Sequence, residues 1–181
     1  MSVKFGEIRQ IAFVVDDIDA AMAYWSDGLG IGPFFIKRRI RFDAFTYRGG
    51  SAASPAVSIA LANSGGLQIE LIQQHDDLPS IYREFQARHG QGFQHVSAWL
   101  TRDDFDATRE RLLASGMALA QTGTIPSSGV RLAYFATEEG PGGFIFEIAD
   151  LMDPDRYGRI KGIADAAAGW DGTDPVIEVD R

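Results

Sequence analysis

Arg9-Gln10-Ile11-Ala12-Phe13-Val14-Val15 and Gln94-His95-Val96-Ser97-Ala98-Trp99-Leu100 are two versions of one strand, and the chain continues in the same way after each. After the first, Ile18-Asp19-Ala20-Ala21-Met22 has helical spacing and stops at Gly28-Leu29-Gly30. After the second, Phe105-Asp106-Ala107-Thr108-Arg109 does the same and stops at Ser115-Gly116. Each copy then returns to an apolar strand holding one carboxylate: Leu67-Gln68-Ile69-Glu70-Leu71-Ile72, and Phe144-Ile145-Phe146-Glu147-Ile148-Ala149. A carboxylate in so apolar a strand costs free energy unless something compensates for its burial. With Gln10 and His95 at equivalent points of the repeat, the pattern points to one divalent metal at a pseudo-twofold axis.

The rest of the chain fits around these strands. Asp16 and Asp17 offer a cap to the first helix. Residues 34–42 alternate as a strand, with Ile36, Arg38, Ile40 and Phe42 on one face and Lys37, Arg39 and Arg41 on the other. Residues 49–55 read as a loop, and 57–62 with 67–73 as a hairpin around Asn63-Ser64-Gly65-Gly66. A helix over 76–89, with Pro79 in its first turn and Gly90 as its C-cap, links the copies. Strand 93–100, helix 103–114 and strands 118–124, 131–137 and 144–149 complete the second copy. The expected organisation is α+β: a first module at 1–75, a linker helix at 76–91, a second module at 92–150 and a C-terminal extension at 151–181. The extension reads as a short helix and a turn-rich tail that covers the cleft or clasps a partner around Trp170.

At 181 residues and 45% hydrophobic, the chain can bury a sizeable core. Its formal charge of −8 lacks the basic footprint of a nucleic-acid binder. No apolar run approaches the roughly 20 residues that cross a bilayer, and the opening Met1-Ser2-Val3-Lys4-Phe5-Gly6-Glu7 lacks a leader's apolar run. The expectation is a cytoplasmic protein with no nucleic-acid or membrane partner. With no cysteine, any metal takes N and O ligands.

Side chains alternate along a strand, so Glu70 shares its side with Gln68, Glu147 faces away from Phe146 and Ile148, and Gln10 and His95 leave their apolar neighbours to the helix side. All four then fit the concave face of one sheet. Amide, imidazole and carboxylate ligands suit Zn, Ni, Co, Mn or Fe without choosing among them. Trp99 and Gln68 belong on that face as substrate-binding residues. Arg39 and Arg41 offer a grip on a carboxylate or phosphate tail. His75 and His89 read as surface residues.

The motifs at Gln10–Asp17, Leu67–Ile72, Gly92–Val96 and Phe144–Glu147 together resemble the vicinal-oxygen-chelate superfamily: glyoxalase I, methylmalonyl-CoA epimerase, extradiol dioxygenases and bleomycin-resistance proteins. The resemblance covers roughly residues 7–150. It implies two βαβββ modules forming an incomplete barrel around a metal cleft, with Gln10, Glu70, His95 and Glu147 as ligands, a set similar to that of the animal glyoxalase I. It implies a lyase or isomerase, lactoylglutathione lyase-like, that stabilises an enediolate on the metal. Glu147 would double as general base and Gln10 would be an exchangeable ligand. The substrate would be a small carbonyl compound, thioester or thiol adduct, and the assembly a homodimer. The epimerase branch adds a second acid on the strand before the Glu70 hairpin. Here that strand, 57–62, has only Ser58 near the place, which is counted with the substrate-binding residues. An enzyme like the methylmalonyl-CoA epimerases, a metal-free binder of the bleomycin-resistance type and a scaffold with a structural metal are the competing readings.

Overall fold

Strand β1 (Ile8–Val14) pairs in parallel with β6 (Leu67–Gln74) on one side and antiparallel with β7 (Gly92–Trp99) on the other. The two modules therefore join through β1 and β7 within one chain. This is a computed structural model, and it describes residues 5–179, so most of the stretch read above for a leader lies outside the described residues.

The remaining strands are β2 (Phe34–Ile40), β3 (Asp43–Tyr47), β4 (Gly50–Ser51), β5 (Val57–Ser64), β8 (Leu119–Ile125), β9 (Val130–Phe135), β10 (Ile145–Ala149) and β11 (Val176–Glu178). They form one curled, unclosed sheet in the order β11-β2-β5-β6-β1-β7-β10-β9-β8-β3-β4. Its centre is symmetric: β2-β5-β6-β1 mirrors β8-β9-β10-β7. Its edges depart from the expected plan. The strand expected over 34–42 breaks after Ile40, where its pairing with β5 shifts register and Arg39 takes a φ of 50°. The chain then crosses to the second module, where β3 pairs with β8. At the other edge β11, in what reads as a turn-rich tail, runs parallel to β2.

The helices are α1 (Ile18–Ala23), continued by a wider turn over Tyr24–Gly28, α2 (Ile81–His89), α3 (Arg102–Ala114) and α4 (Pro154–Ala168). The side chain of Asp17 caps α1 by accepting from the backbone of Asp19 and Ala20. Helix α2 begins later than the expected 76, because Ser80 caps it by accepting from Arg83 N, a contact worth about 1 kcal/mol. Pro79 therefore precedes the helix. None of the helices among the described residues is long and apolar enough to cross a membrane.

Alternation divides the core into three clusters. Ile69, Leu71, Ala60 and Ile36 pack under α1 on the convex side of the first module, and Ala133, Phe135 and Ile148 pack under α3 on that of the second. The third fills the concave side: Ala12, Val14, Ile59, Ile72, Trp99 and Tyr134 meet Ile81 and Tyr82 of α2, and Tyr157 and Ile160 of α4 pack against them. Trp170, where the expected cover or clasp was placed, lies against Gly32 instead, and the helix of the C-terminal extension is what packs on the inner face. It is anchored by Arg156, which ion-pairs with the fully buried Asp150 and donates to Gly129 O at 2.6 Å.

Candidate functional site

The ladder sets the inner-face residues in rows. Ala12 stands beside both Glu70 on β6 and His95 on β7, while Gln10 stands beside Gln68 and Ser97, and Ser97 beside Glu147 on β10. Residue-by-residue alternation then sends Gln10, Gln68, Glu70, His95 and Glu147 to one face. His95 is completely buried, Glu147 2% exposed and Glu70 7% exposed. His95 Nε2 lies 3.3 Å from Glu70 Oε2 and 3.7 Å from Glu147 Oε2.

Two features orient the imidazole. Its Nδ1 is 2.6 Å from Gln94 Oε1, and an amide oxygen only accepts, so Nδ1 carries a proton and the lone pair of the neutral ring falls on Nε2. The Tyr134 ring stands edge-on to it at 5.3 Å, and Tyr82 donates its hydroxyl to that of Tyr134 at 3.0 Å. Nε2 itself makes no hydrogen bond: Glu70 is near enough, but off the line a hydrogen bond needs. A buried, unpaired nitrogen lone pair between two carboxylates is the donor chemistry a divalent cation takes. As the side chains stand, no three His, Asp or Glu groups among the described residues already form a metal cage. The chemistry of Glu70, His95 and Glu147, two buried carboxylates and an imidazole nitrogen without a hydrogen bond, fits a metal.

Burial pushes the Glu147 carboxyl up from 4.5 to about 7; His95 opposes the rise, Glu70 adds to it, and the Ser97 and Tyr134 hydroxyls oppose it. Burial also works against the charged form of His95, yet Glu70 and Glu147 outweigh it and raise its imidazole above the ordinary value. A carboxyl raised on folding contributes stability below its unfolded value that is lost as pH rises through about 7. Glu147→Gln removes that loss. In metal-free protein at pH 8 it is expected to stabilise by about 2–3 kcal/mol, and at pH 4 by nothing measurable. Thermal melts in a chelator at the two pH values check this; an equal change at both would show that Glu147 ionisation is not the cause.

The other expected site residues divide. Gln10, expected as fourth ligand and as catalytic, does not join the cluster, because its Nε2 donates to Gln68 Oε1 at 2.8 Å. Gln68 and Trp99 do face inward, Trp99 with its buried Nε1 unpaired. Ser58 does not. Leu61 is the β5 residue beside Glu70, so alternation puts Ser58 on the opposite face, where its Oγ meets His75 Nε2 at 2.7 Å and accepts from Arg39 N. His75 is thus half-buried and hydrogen-bonded, where a free surface residue was expected, and burial, then Arg39 and Arg38, lowers its pKa. The anion grip also dissolves: the break in β2 leaves Arg39 exposed, and Arg41 is ion-paired to Asp76 at 3.1 Å. Sequence reading missed Gln94, Tyr134 and Tyr82. The consecutive polar pair Gln94-His95 inside an apolar strand was the available signal for the first, whereas the tyrosines become visible only through cross-strand and helix packing.

A cavity of about 230 Å³ opens between α2 and the loop over 138–143. It touches the cluster through Gln94 and through Ile145, the neighbour of His95 on β10.

Residues 9–135 match the model of a family described as the Glyoxalase/Bleomycin resistance protein/Dioxygenase superfamily. Among solved structures, the chain is similar to the methylmalonyl-CoA epimerase of Mycobacterium tuberculosis, at 20% identity and a TM-score of 0.57, over 82% of this chain and 90% of that one. It is similar to a selenomethionine-labelled methylmalonyl-CoA epimerase, at 20% identity and 0.54, over 82% and 97%. It is also similar to a hypothetical protein of Bacillus halodurans, at 16% and 0.54, over 79% and 92%. At these identities the likeness is one of fold. No curated protein matches the chain.

Proposed function

Because the chain belongs to the Glyoxalase/Bleomycin resistance protein/Dioxygenase superfamily, we propose that it is a metal-dependent enzyme of the glyoxalase type, a lyase or isomerase that removes the proton next to a substrate carbonyl. One observation carries the reading: a single buried imidazole nitrogen, without a hydrogen bond, faces two buried carboxylates at 3.3 and 3.7 Å. Glu70, His95 and Glu147 would hold the metal, and Gln10 would join only by releasing Gln68. When bound, a divalent metal supplies positive charge where negative charge grows on the substrate oxygen.

The chain's own residues divide the remaining work. Glu147 takes the proton: its carboxylate is buried on the inner face beside His95 and Glu70, the position a general base needs. Gln94 holds His95 in the tautomer that keeps Nε2 free to donate its lone pair. The side chains of α2 and α4 packed over the inner face keep water from a carbanion-like intermediate.

The epimerases similar in fold prompt the question of whether this chain is one. Beside Glu70 and Ile72, β5 offers Leu61 and Ile59, so this strand supplies no second acid for the other side of a substrate carbon. A metal-free binder, as among the bleomycin-resistance relatives, gains from the side chains' not yet forming a cage.

Elemental analysis of purified protein, followed by solvent-deuterium incorporation into α-hydroxy ketones and acyl thioesters, tests the proposal. The expected result is about one metal per chain and metal-dependent exchange at the α-carbon. Metal-free protein without exchange would leave the binder. Metal without exchange would leave a structural ion.

A further inference from the structure

Glu70, His95 and Glu147 are at most 7% exposed, and the cavity beside α2 is lined by none of the three. With so little surface, none of them meets a ligand as the fold stands. Whatever binds the inner face therefore enters only when α2 or α4, the helices packed over it, moves. Helix α2 is tied to its surroundings along its length: Ile81 N donates to Gln121 Oε1 at 3.2 Å, Glu84 is ion-paired with Arg48, and Gln86 donates to Asp16 at 2.6 Å.

Helix α4 is tied by polar contacts only in its first turn, where Arg156 holds Asp150 and Asp155 pairs with Arg102 at 2.7 Å. Among the described residues, no side chain of α4 after Arg156 hydrogen-bonds or ion-pairs outside the helix; Lys161 pairs with Asp165 within it. Its body is held by Tyr157 and Ile160 on the core and by the buried Ile163. The helix is also weak in itself. Gly158 and Gly162 stand in its interior, and a glycine there lowers the helix population about four- to fivefold relative to alanine. Packing does not require them, because a Cβ at either position would meet nothing within 4 Å. The far end of the segment is fixed by Trp170 against Gly32 and by β11 on β2. Unwinding frees the middle without moving either end: the 15 residues span about 22 Å as a helix and about twice that when extended.

We propose that α4 is the door of the inner face: its body after Arg156 unwinds locally, lifts from β5, along which it lies, and refolds over the ligand it has admitted. Local openings of this kind occur where few contacts hold an element to the rest of the fold. A metal enzyme and a metal-free binder need the door equally, so it does not rest on the reaction proposed above. In an enzyme, its closing is what shuts water out before the proton is removed.

The chain has no cysteine, so a single thiol is an unambiguous reporter in the full-length protein. Ser97→Cys places one on the inner face and Ala133→Cys one on the convex side under α3, both at fully buried positions. Iodoacetamide labelling in native buffer, divided by the rate in the urea-unfolded chain, reports how often each thiol is uncovered. The Ser97→Cys thiol is expected to be uncovered at least about tenfold more often, because local opening costs less than global unfolding. Adding Gly158→Ala with Gly162→Ala is expected to slow its labelling about 15- to 30-fold. Glu84→Gln, which cuts a tie of α2, is expected to leave it unchanged. Equal uncovering of the two thiols would mean that only global unfolding opens the site. Labelling indifferent to the glycine pair, or hastened by Glu84→Gln, would put the door elsewhere. Hydrogen exchange in the unsubstituted chain gives a second reading: the amides of α4 are expected to exchange before those of α2, and the reverse order would also overturn the assignment.

Discussion

Glu147→Gln is expected to slow α-proton exchange by about 10²- to 10⁴-fold, the usual contribution of a positioned general base. The substitution keeps the shape of the side chain and an oxygen for a metal, but an amide does not accept the proton. Its surroundings make the comparison clean: Glu147 is 2% exposed, and its register neighbours Ser97 and Tyr134 remain to hold the amide. Exchange followed by NMR in deuterated solvent, on the compound the native protein turns over, measures the rate. Elemental analysis of the same sample measures the metal. Full turnover with the metal retained would remove Glu147 from the role of base. In its metal-free form the same variant is expected to be the more stable protein at pH 8. Loss of activity together with gained stability is what a carboxylate kept buried for chemistry predicts.

Asp150→Ala is expected to cost about 3–5 kcal/mol, the range for removing one partner of a buried ion pair. Asp150 is completely buried, accepts from Arg131 N and Nε at 2.7 Å each, and pairs with Arg156. Removing the carboxylate leaves the 8%-exposed Arg156 guanidinium without its counter-charge. Arg131 is less affected, because it also holds Asp106 at 2.8 Å. The cost falls where α4 is fastened, so the helix that covers the inner face loosens before the sheet does. Urea denaturation measures the loss, and faster proteolysis within 154–168 than in the sheet localises it. A change below about 1 kcal/mol would show that water or rearrangement replaces the lost partner.

The inner-face cluster was legible in part from the sequence. Glu70, His95 and Glu147 could be placed on one face because strand alternation is a local property, and the duplication said which positions correspond. Gln10 was placed on the correct face, but its partner was not foreseeable, since Gln10 and Gln68 meet through a parallel pairing between distant segments. Ser58 failed on register: the hairpin of β5 with β6 was expected, but one residue decides the face, and only the structure sets Leu61 beside Glu70 and so turns Ser58 away. The positively charged stretch in β2 failed because a backbone break at Arg39 ended its alternation.

The sequence by itself determined the duplicated strand–helix–strand plan, the α+β class and three of the side chains that converge. These follow from periodicity and from the cost of burying charge, which act residue by residue. Tertiary structure alone decided that β3 crosses to the second module, that β11 and α4 turn a tail into an edge strand and a cover, and that a bulge turns Gln94 onto His95. Each depends on which surfaces remain uncovered once the sheet has curled, and no short window of the chain carries that information.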